Sequence, residues 1–319
     1  MTARSLGVVM LFAAALLCTA CTDAESTAPA RQAHSDLVVG TQPPIAAVPH
    51  LDSIANLTLP IDVYRFSAAQ TKMIGSASVL LVNECVRRFG FPPLLTDTYG
   101  PGASSLTRRY GVTESEIAEQ YGYHVAPQEN ISTPKDSTGQ RFTRAEMLVL
   151  SGSDSGIAAA PGDPAPSGAV HSGMPIPPGG CYAEARKKIS ADDPADTNLA
   201  SEIARAGFDQ AQADTRVTAV FAQWSACMRE RGYTAADPLA IAATADLSLP
   251  TPRSAEIQTA VADVACKREH NVVGVWFTVE SAYQNALIQR HLEKLTVTRR
   301  QLDAEVRNAA AVLGLPVPR

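Results

Sequence analysis

The sequence predicts a mainly α fold, an irregular helical bundle with a long C-terminal helix, clipped by two disulfides. Three observations carry that expectation: apolar residues recur at three- and four-residue spacing through the second half, no segment alternates convincingly as a strand, and two cysteines occupy equivalent places at two helix ends. With 45% apolar and 18% charged residues over 319, the composition suits a folded chain rather than a wholly disordered one. The net charge of -5 excludes a generally basic nucleic-acid binder, because neutralising phosphates needs surplus Lys and Arg.

The N-terminus sets the expected compartment. Arg4 and the apolar run Leu6 to Leu17 read as an export signal, since that run is too short to cross a bilayer of about 30 Å as a mature helix. The run ends Leu17-Cys18-Thr19-Ala20-Cys21, with small residues before a cysteine as in a bacterial lipobox, although Cys18 stands where that pattern usually has Leu. Cys21 is therefore the expected lipidation site; plain secretion after cleavage near Ala20 is the alternative. Residues 1–20 are the expected lipoprotein signal peptide, and 21–59 a flexible tether rich in Ala, Ser, Thr, Asp and Pro. Residues 60–313 are the expected disulfide-stabilised α-helical domain. The first expected partner is the membrane, reached through the lipid, and the location is extracytoplasmic.

Setting aside Cys18 and Cys21 leaves Cys85, Cys181, Cys227 and Cys266, an even number that an oxidising compartment would pair in one of three ways. Cys85-Val86-Arg87-Arg88-Phe89-Gly90-Phe91 and Cys227-Met228-Arg229-Glu230-Arg231-Gly232-Tyr233 share Arg two on, Gly five on and an aromatic six on. Each reads as a helix ending at a left-handed glycine cap, with the cysteine on the buried face of the last turns. Cys181 opens a helix after a proline-rich loop and Cys266 lies on another. Two similar closures, Cys85–Cys181 and Cys227–Cys266, are predicted.

Taken in order, a helix is expected over 63–89. A short one follows to Tyr121, opened by a Thr113/Glu116 capping box, and another over 143–150 with Thr143 and Glu146 in the same roles. Residues 151–180 read as a long exposed loop. Helices then cover 181–189, 196–231, 254–270 and 272–313. The last is expected to be a rod of about 60 Å, with Ile288, Leu292, Leu295, Leu302, Val306, Ala309 and Leu313 forming a seam interrupted at Arg299. Antiparallel packing of this rod on the Trp224 helix is the simplest spine, with a partner helix or homodimer as the other use of the seam.

The segments Ala226 to Tyr233, Arg108-Arg109-Tyr110-Gly111-Val112 leading to Tyr121-Gly122-Tyr123-His124, Gly179-Gly180-Cys181, and Asp263 to Lys267 leading to Trp276 and Glu280 to Gln284 occur in an order similar to that in exported actinobacterial lipoproteins with paired Cys motifs, a group of unassigned function. The resemblance spans roughly residues 60–312. It implies location and disulfides and carries no chemistry.

Two clusters are candidate contact sites. Tyr110, Tyr121 and Tyr123 lie close to Arg108, Arg109 and His124, and Tyr and Arg offer large surfaces with polar tips; packing of a small core is the competing use. Trp276, Glu280 and Tyr283 share a helix face, where a desolvated Glu280 would act as an acid or pair with Arg229 or Arg268. No metal is expected, because once Cys18 and Cys21 are assigned to the signal and the lipid no close ligand spacing such as C-x-x-C or H-x-x-x-H is left, and no cofactor is expected. Gly152-Ser153-Asp154-Ser155-Gly156 has Asp where a nucleophile elbow needs Ser, and Pro134 spoils Ser132-Thr133-Pro134-Lys135 as a Ser–Lys pair. The favoured function is a lipid-anchored cell-surface binding or accessory protein serving envelope or export proteins. The alternative is an extracytoplasmic hydrolase drawing on Glu280, Glu84, Asp263 and His124. Non-reducing peptide mapping is expected to recover Cys85 joined to Cys181 and Cys227 joined to Cys266; a Cys85–Cys227 peptide would overturn the pairing.

Overall fold

The computed structural model describes residues 36–51, 53–55, 57–99, 104, 106–126, 142–153, 168–191 and 193–317. Cys21, the signal segment, Ser132 to Lys135 and Asp154 to Gly156 lie outside them. The chain is mainly helical: a 3-10 helix (Pro60–Tyr64) precedes α1 (Ala68–Arg88), α2 (Ser115–Tyr121), α3 (Arg144–Ser151), α4 (Gly180–Ser190), α5 (Asn198–Ala213), α6 (Thr215–Glu230), α7 (Pro238–Ala242), α8 (Ser254–Glu269), α9 (Val272–Arg290) and α10 (Leu292–Leu313). One antiparallel pair, β1 (Val170–His171) and β2 (Met174–Pro175), occupies the end of the region expected as loop.

Both predicted bridges are present. Cys85–Cys181 joins α1 to α4 with 5.6 Å between Cα atoms, and Cys227–Cys266 joins α6 to α8 with 5.8 Å. The two helix ends are built alike. Gly90 N–H bonds the Arg87 carbonyl and Phe91 N–H that of Val86; Gly232 N–H bonds Arg229 and Tyr233 N–H bonds Met228. This is the double closure of a Schellman cap, and it requires the left-handed φ of +85° and +88° that glycine adopts freely. The likeness extends to charge: Arg88 donates to Glu184 at 2.5 Å and Arg231 to Glu269 at 3.2 Å, each glutamate three residues beyond the second cysteine of its bridge. Loop separations of 96 and 39 residues correspond to about 4.7 and about 3.9 kcal/mol of chain-entropy stabilisation, as upper figures.

Each bridge closes its own group of helices. α1, α4 and α10 pack together with α3, and Ala77, Leu81, Val82, Val86, Val149, Leu150, Ala185, Ile189 and Ala309 form their core. α6, α8 and α9 pack together with α5, and α2 lies on α8. Here Trp276 is the centre, 5.1 Å from the Tyr110 and Phe208 rings and 4.9 Å from Phe221. The 3-10 helix touches α5, α9 and α10, and buries Ile61.

This division corrects several expectations. The segment 272–313 is two helices rather than one rod, with His291 between them at φ -113° and ψ 19°. α6, which carries Trp224, packs on α9, whereas α10 packs on α1 and α4, so the expected full-length spine does not form. The α10 seam residues Leu295, Leu302, Val306 and Ala309 are buried within the chain. The helix expected over 196–231 breaks at Asp214, whose carboxylate accepts from Arg216 N–H at 2.9 Å and so caps α6. α1 starts late because Ser67 and Gln70 form a reciprocal capping box. The Thr143/Glu146 box is present, but Thr113 is not a cap: α2 begins after an extended Glu114, where Arg268 donates to the Ser115 hydroxyl at 2.7 Å.

Part of the stretch expected as a flexible tether is ordered. From Val39 the chain is held as a strap: Val39 N–H bonds Gln210 at 2.6 Å, Arg216 bonds the Pro43 carbonyl at 2.9 Å, and Asn271 bonds both the Pro49 carbonyl and Leu51 N–H. α10 separates buried from exposed seam positions sharply, with Leu295 at 0% and Leu292 at 44% exposure. Leu295→Ala is expected to cost about 2–5 kcal/mol and Leu292→Ala less than about 0.5, in denaturant unfolding with both disulfides intact.

Candidate functional site

The Tyr/Arg segment and the Trp276–Tyr283 face, singled out separately in the sequence, meet in space. Residues 106–126 run against α8 and α9 and are stitched to them by two buried ionic centres. In the first, Arg109 donates from Nε to Glu280 Oε1 at 2.9 Å and Oε2 at 3.0 Å, and from Nη2 to Oε1 at 2.5 Å. Tyr110 hydroxyl donates to Oε2 at 2.9 Å and Gln284 Nε2 to Oε1 at 2.6 Å. The guanidinium also reaches the Ala204 carbonyl at 2.7 Å and lies over the Phe208 ring, 4.7 Å from its centroid. Gln284 then accepts from Ile61 N–H, joining the 3-10 helix to the same centre.

The second centre is Asp263 and Lys267, one turn apart on α8. Lys267 Nζ donates to Asp263 Oδ2 and to the Val112 carbonyl, each at 2.9 Å. Trp224 Nε1 donates to Oδ1 at 3.0 Å and Tyr123 hydroxyl to Oδ2 at 3.3 Å. A third pair lies at the α5–α6 break, where Arg216 forks onto Asp214 and Tyr283 hydroxyl donates to Asp214 Oδ2 at 3.0 Å.

Burial pushes the Glu280 and Asp263 carboxyls above their ordinary range; the donors from Arg109, Tyr110 and Gln284 oppose that push on one, and Lys267, Trp224 and Tyr123 on the other. Desolvation works against the charge on Arg109, but Glu280 outweighs it and holds the guanidinium protonated. Tyr110 and Tyr123 are raised by burial first and by Glu280 and Asp263 second, so both stay neutral donors. At Asp214 burial is outweighed by Arg216 and Tyr283, and the carboxyl lies below its usual value.

These contacts decide what the predicted residues do. Tyr110, Tyr123, Trp276, Glu280 and Tyr283 are buried with their polar tips used inside the chain, apart from the Trp276 indole N–H, which has no acceptor among the described residues. The partner of Glu280 is Arg109 rather than Arg229 or Arg268. Tyr121 and Arg108 are half-buried, and Arg108 holds the Tyr123 and His124 carbonyls. His124 bonds Glu256, a residue that sequence reasoning did not single out. The i,i+4 spacing of Asp263 and Lys267 was a readable sign of an ion pair; Arg109 and Glu280, 171 positions apart, left none.

The acids proposed for hydrolysis do not converge. Glu280 faces Arg109, Asp263 faces Lys267, and Glu84 is exposed on α1. The surface depressions at 54–117 (about 180 Å³), 244–259 (about 230 Å³), 218–236 (about 320 Å³) and 43–49 with α9 (about 520 Å³) are lined by none of the three. Cys227, Glu269 and His270 place ligand-type atoms within 4.8 Å of one another, but the Cys227 sulfur is bonded to Cys266 and Glu269 is paired with Arg231. The bridge consumes the thiolate that an ion there would need. No protein-family profile, curated protein or solved structure matches the chain.

Replacing Glu280 by Gln leaves Arg109 buried without its anion and is expected to cost about 3–5 kcal/mol. Arg109→Met combined with Glu280→Gln is expected to cost clearly less than the sum of the single variants, read from denaturant midpoints as a double-mutant cycle.

Proposed function

We propose that the chain is an extracytoplasmic binding or accessory protein, anchored to the membrane by a lipid on Cys21, that serves other envelope or export proteins. The observation that carries the reading is the internal use of the chemistry-bearing side chains: Glu280, Asp263 and Asp214 are spent on Arg109, Lys267 and Arg216, and hold the helices in register instead of facing a cavity. A protein whose ionic groups fix its shape is suited to present a surface rather than to turn over a substrate.

Two cystines in one domain fit an oxidising, extracytoplasmic environment. Among the described residues no helix is long and apolar enough to cross a membrane. Attachment in this reading therefore rests on the lipobox-like segment before Cys21, in keeping with the resemblance to exported actinobacterial lipoproteins. With the strap docked from Val39, a lipid on Cys21 would be joined to it by the 17 residues 22–38, whose reach is at most about 60 Å. The domain would then work close to the membrane surface.

Fractionation of cells making the full chain is expected to place it in the membrane, with a diacylglyceryl group on the N-terminal peptide beginning at Cys21. Cys21→Ser is expected to move it to the soluble extracytoplasmic fraction; retention of that variant in the membrane would overturn the anchor. In-cell cross-linking is expected to capture defined envelope proteins. Recovery of the monomer alone would overturn the accessory role and shift the reading to a small ligand or to catalysis.

A further inference from the structure

We propose that His124 is a pH-operated latch, fastening the end of the α2 segment to the first turn of α8 and to the 243–253 loop only while its ring carries two protons. The geometry requires the second proton. Nδ1 lies 3.0 Å from Glu256 Oε1 and Nε2 lies 3.0 Å from the Leu249 carbonyl oxygen. Both partners are acceptors. A neutral imidazole has one N–H and can serve only one of them, whereas the imidazolium donates to both. Glu256 Oε1 also accepts from Tyr123 N–H at 2.9 Å, so the ring and the backbone converge on the same oxygen.

The chain is shaped to admit this carboxylate. Gly122 has φ +54°, and a Cβ at that position would come 2.6 Å from Glu256 Oε1. Any other residue there would displace the acid that holds the ring.

The charges around the ring come from several elements. Glu256 approaches from α8. The loop contributes Asp246, held by the Ser248 hydroxyl and 4.0 Å from Arg253, the residue that precedes α8. From the turn before α2, Arg108 sits on the His124 carbonyl at 2.6 Å. On the His124 segment itself, the Tyr123 phenol is turned away to Asp263. The bond to Glu256 is the largest cause holding the imidazole above its ordinary value; desolvation opposes it, and the Leu249 carbonyl and Asp246 add to it.

The sign follows from that direction. A histidine whose pKa is raised by folding stabilises the native state fully below its unfolded value of about 6.5, and the contribution is lost as pH rises through the higher folded value. Loss of the second proton leaves two oxygens competing for one donor. The loop carrying Leu249 is the freer side, with Leu247 exposed at its tip. Its release would widen the depression lined by Tyr123, Asp246, Leu249, Arg253 and Glu256. An extracytoplasmic chain meets the pH of its surroundings directly, so this contact is placed to report it.

The test reads the latch on the full chain. Imidazole nitrogen NMR is expected to show both His124 nitrogens protonated at about pH 6, with a midpoint above that of a free histidine. Hydrogen exchange of residues 243–253, corrected for intrinsic pH dependence, is expected to accelerate several-fold as pH rises through that midpoint. In His124→Asn the acceleration should vanish while exchange of α1 and α4 is unchanged. A single neutral tautomer at about pH 6, exchange indifferent to pH, or the same acceleration in His124→Asn would overturn the proposal. The NMR result decides it even if the variant fails to fold.

Discussion

The bond between a helix's last turns and a later helix is the constraint around which this chain is organised, and it is made twice. Each time a cysteine precedes a Schellman-capped glycine, and each time an arginine beyond that cysteine reaches the glutamate one turn past its partner. Such a bridge fixes the crossing of two helices at one end. A third helix can then fill the groove between them: α10 does so for α1 and α4, and α9 for α6 and α8. The break at His291 follows, since one continuous helix would have to serve both pairs.

The second organising element is ionic. The segment from Leu106 to Ala126 contains a single short helix, α2, and must satisfy buried backbone and side-chain polar groups by other means. Arg109 and Tyr110 meet Glu280, while the Val112 carbonyl and Tyr123 meet the Lys267–Asp263 pair. Buried pairs of this kind contribute little net stability against an apolar replacement but punish the loss of one partner. Their effect is to fix which way the segment lies. Its residues therefore look like a contact cluster in the sequence and act as positioning groups in the fold.

The parts that were legible in the sequence are those governed by local physics. Gly90 and Gly232 mark helix ends because only a left-handed residue closes a Schellman cap, and the repeated spacing around Cys85 and Cys227 carried the correct pairing. Thr143 and Glu146 capped α3 as read. The breaks were harder. Asp214 is a good cap residue, but it stands between two helical stretches with no Gly or Pro to announce the interruption. His291 has no local signal at all, because the cause is which helices α9 and α10 pack against. The strap from Val39 to Leu51 shows no periodicity, since its backbone groups are held by three side chains from elsewhere in the chain, Gln210, Arg216 and Asn271. The candidate residues were found, but Arg109 and Glu280 could be joined only once the helices were placed, and Glu256 gained its meaning from His124.

The central claim is that each cystine organises its own set of helices. Hydrogen exchange on the Cys227→Ala/Cys266→Ala variant tests it most directly. The account predicts that α6, α8 and the α2 segment lying on α8 lose much of their protection while α1, α4 and α10 keep theirs. Uniform loss across the whole chain, or no loss in α6 and α8, would contradict it.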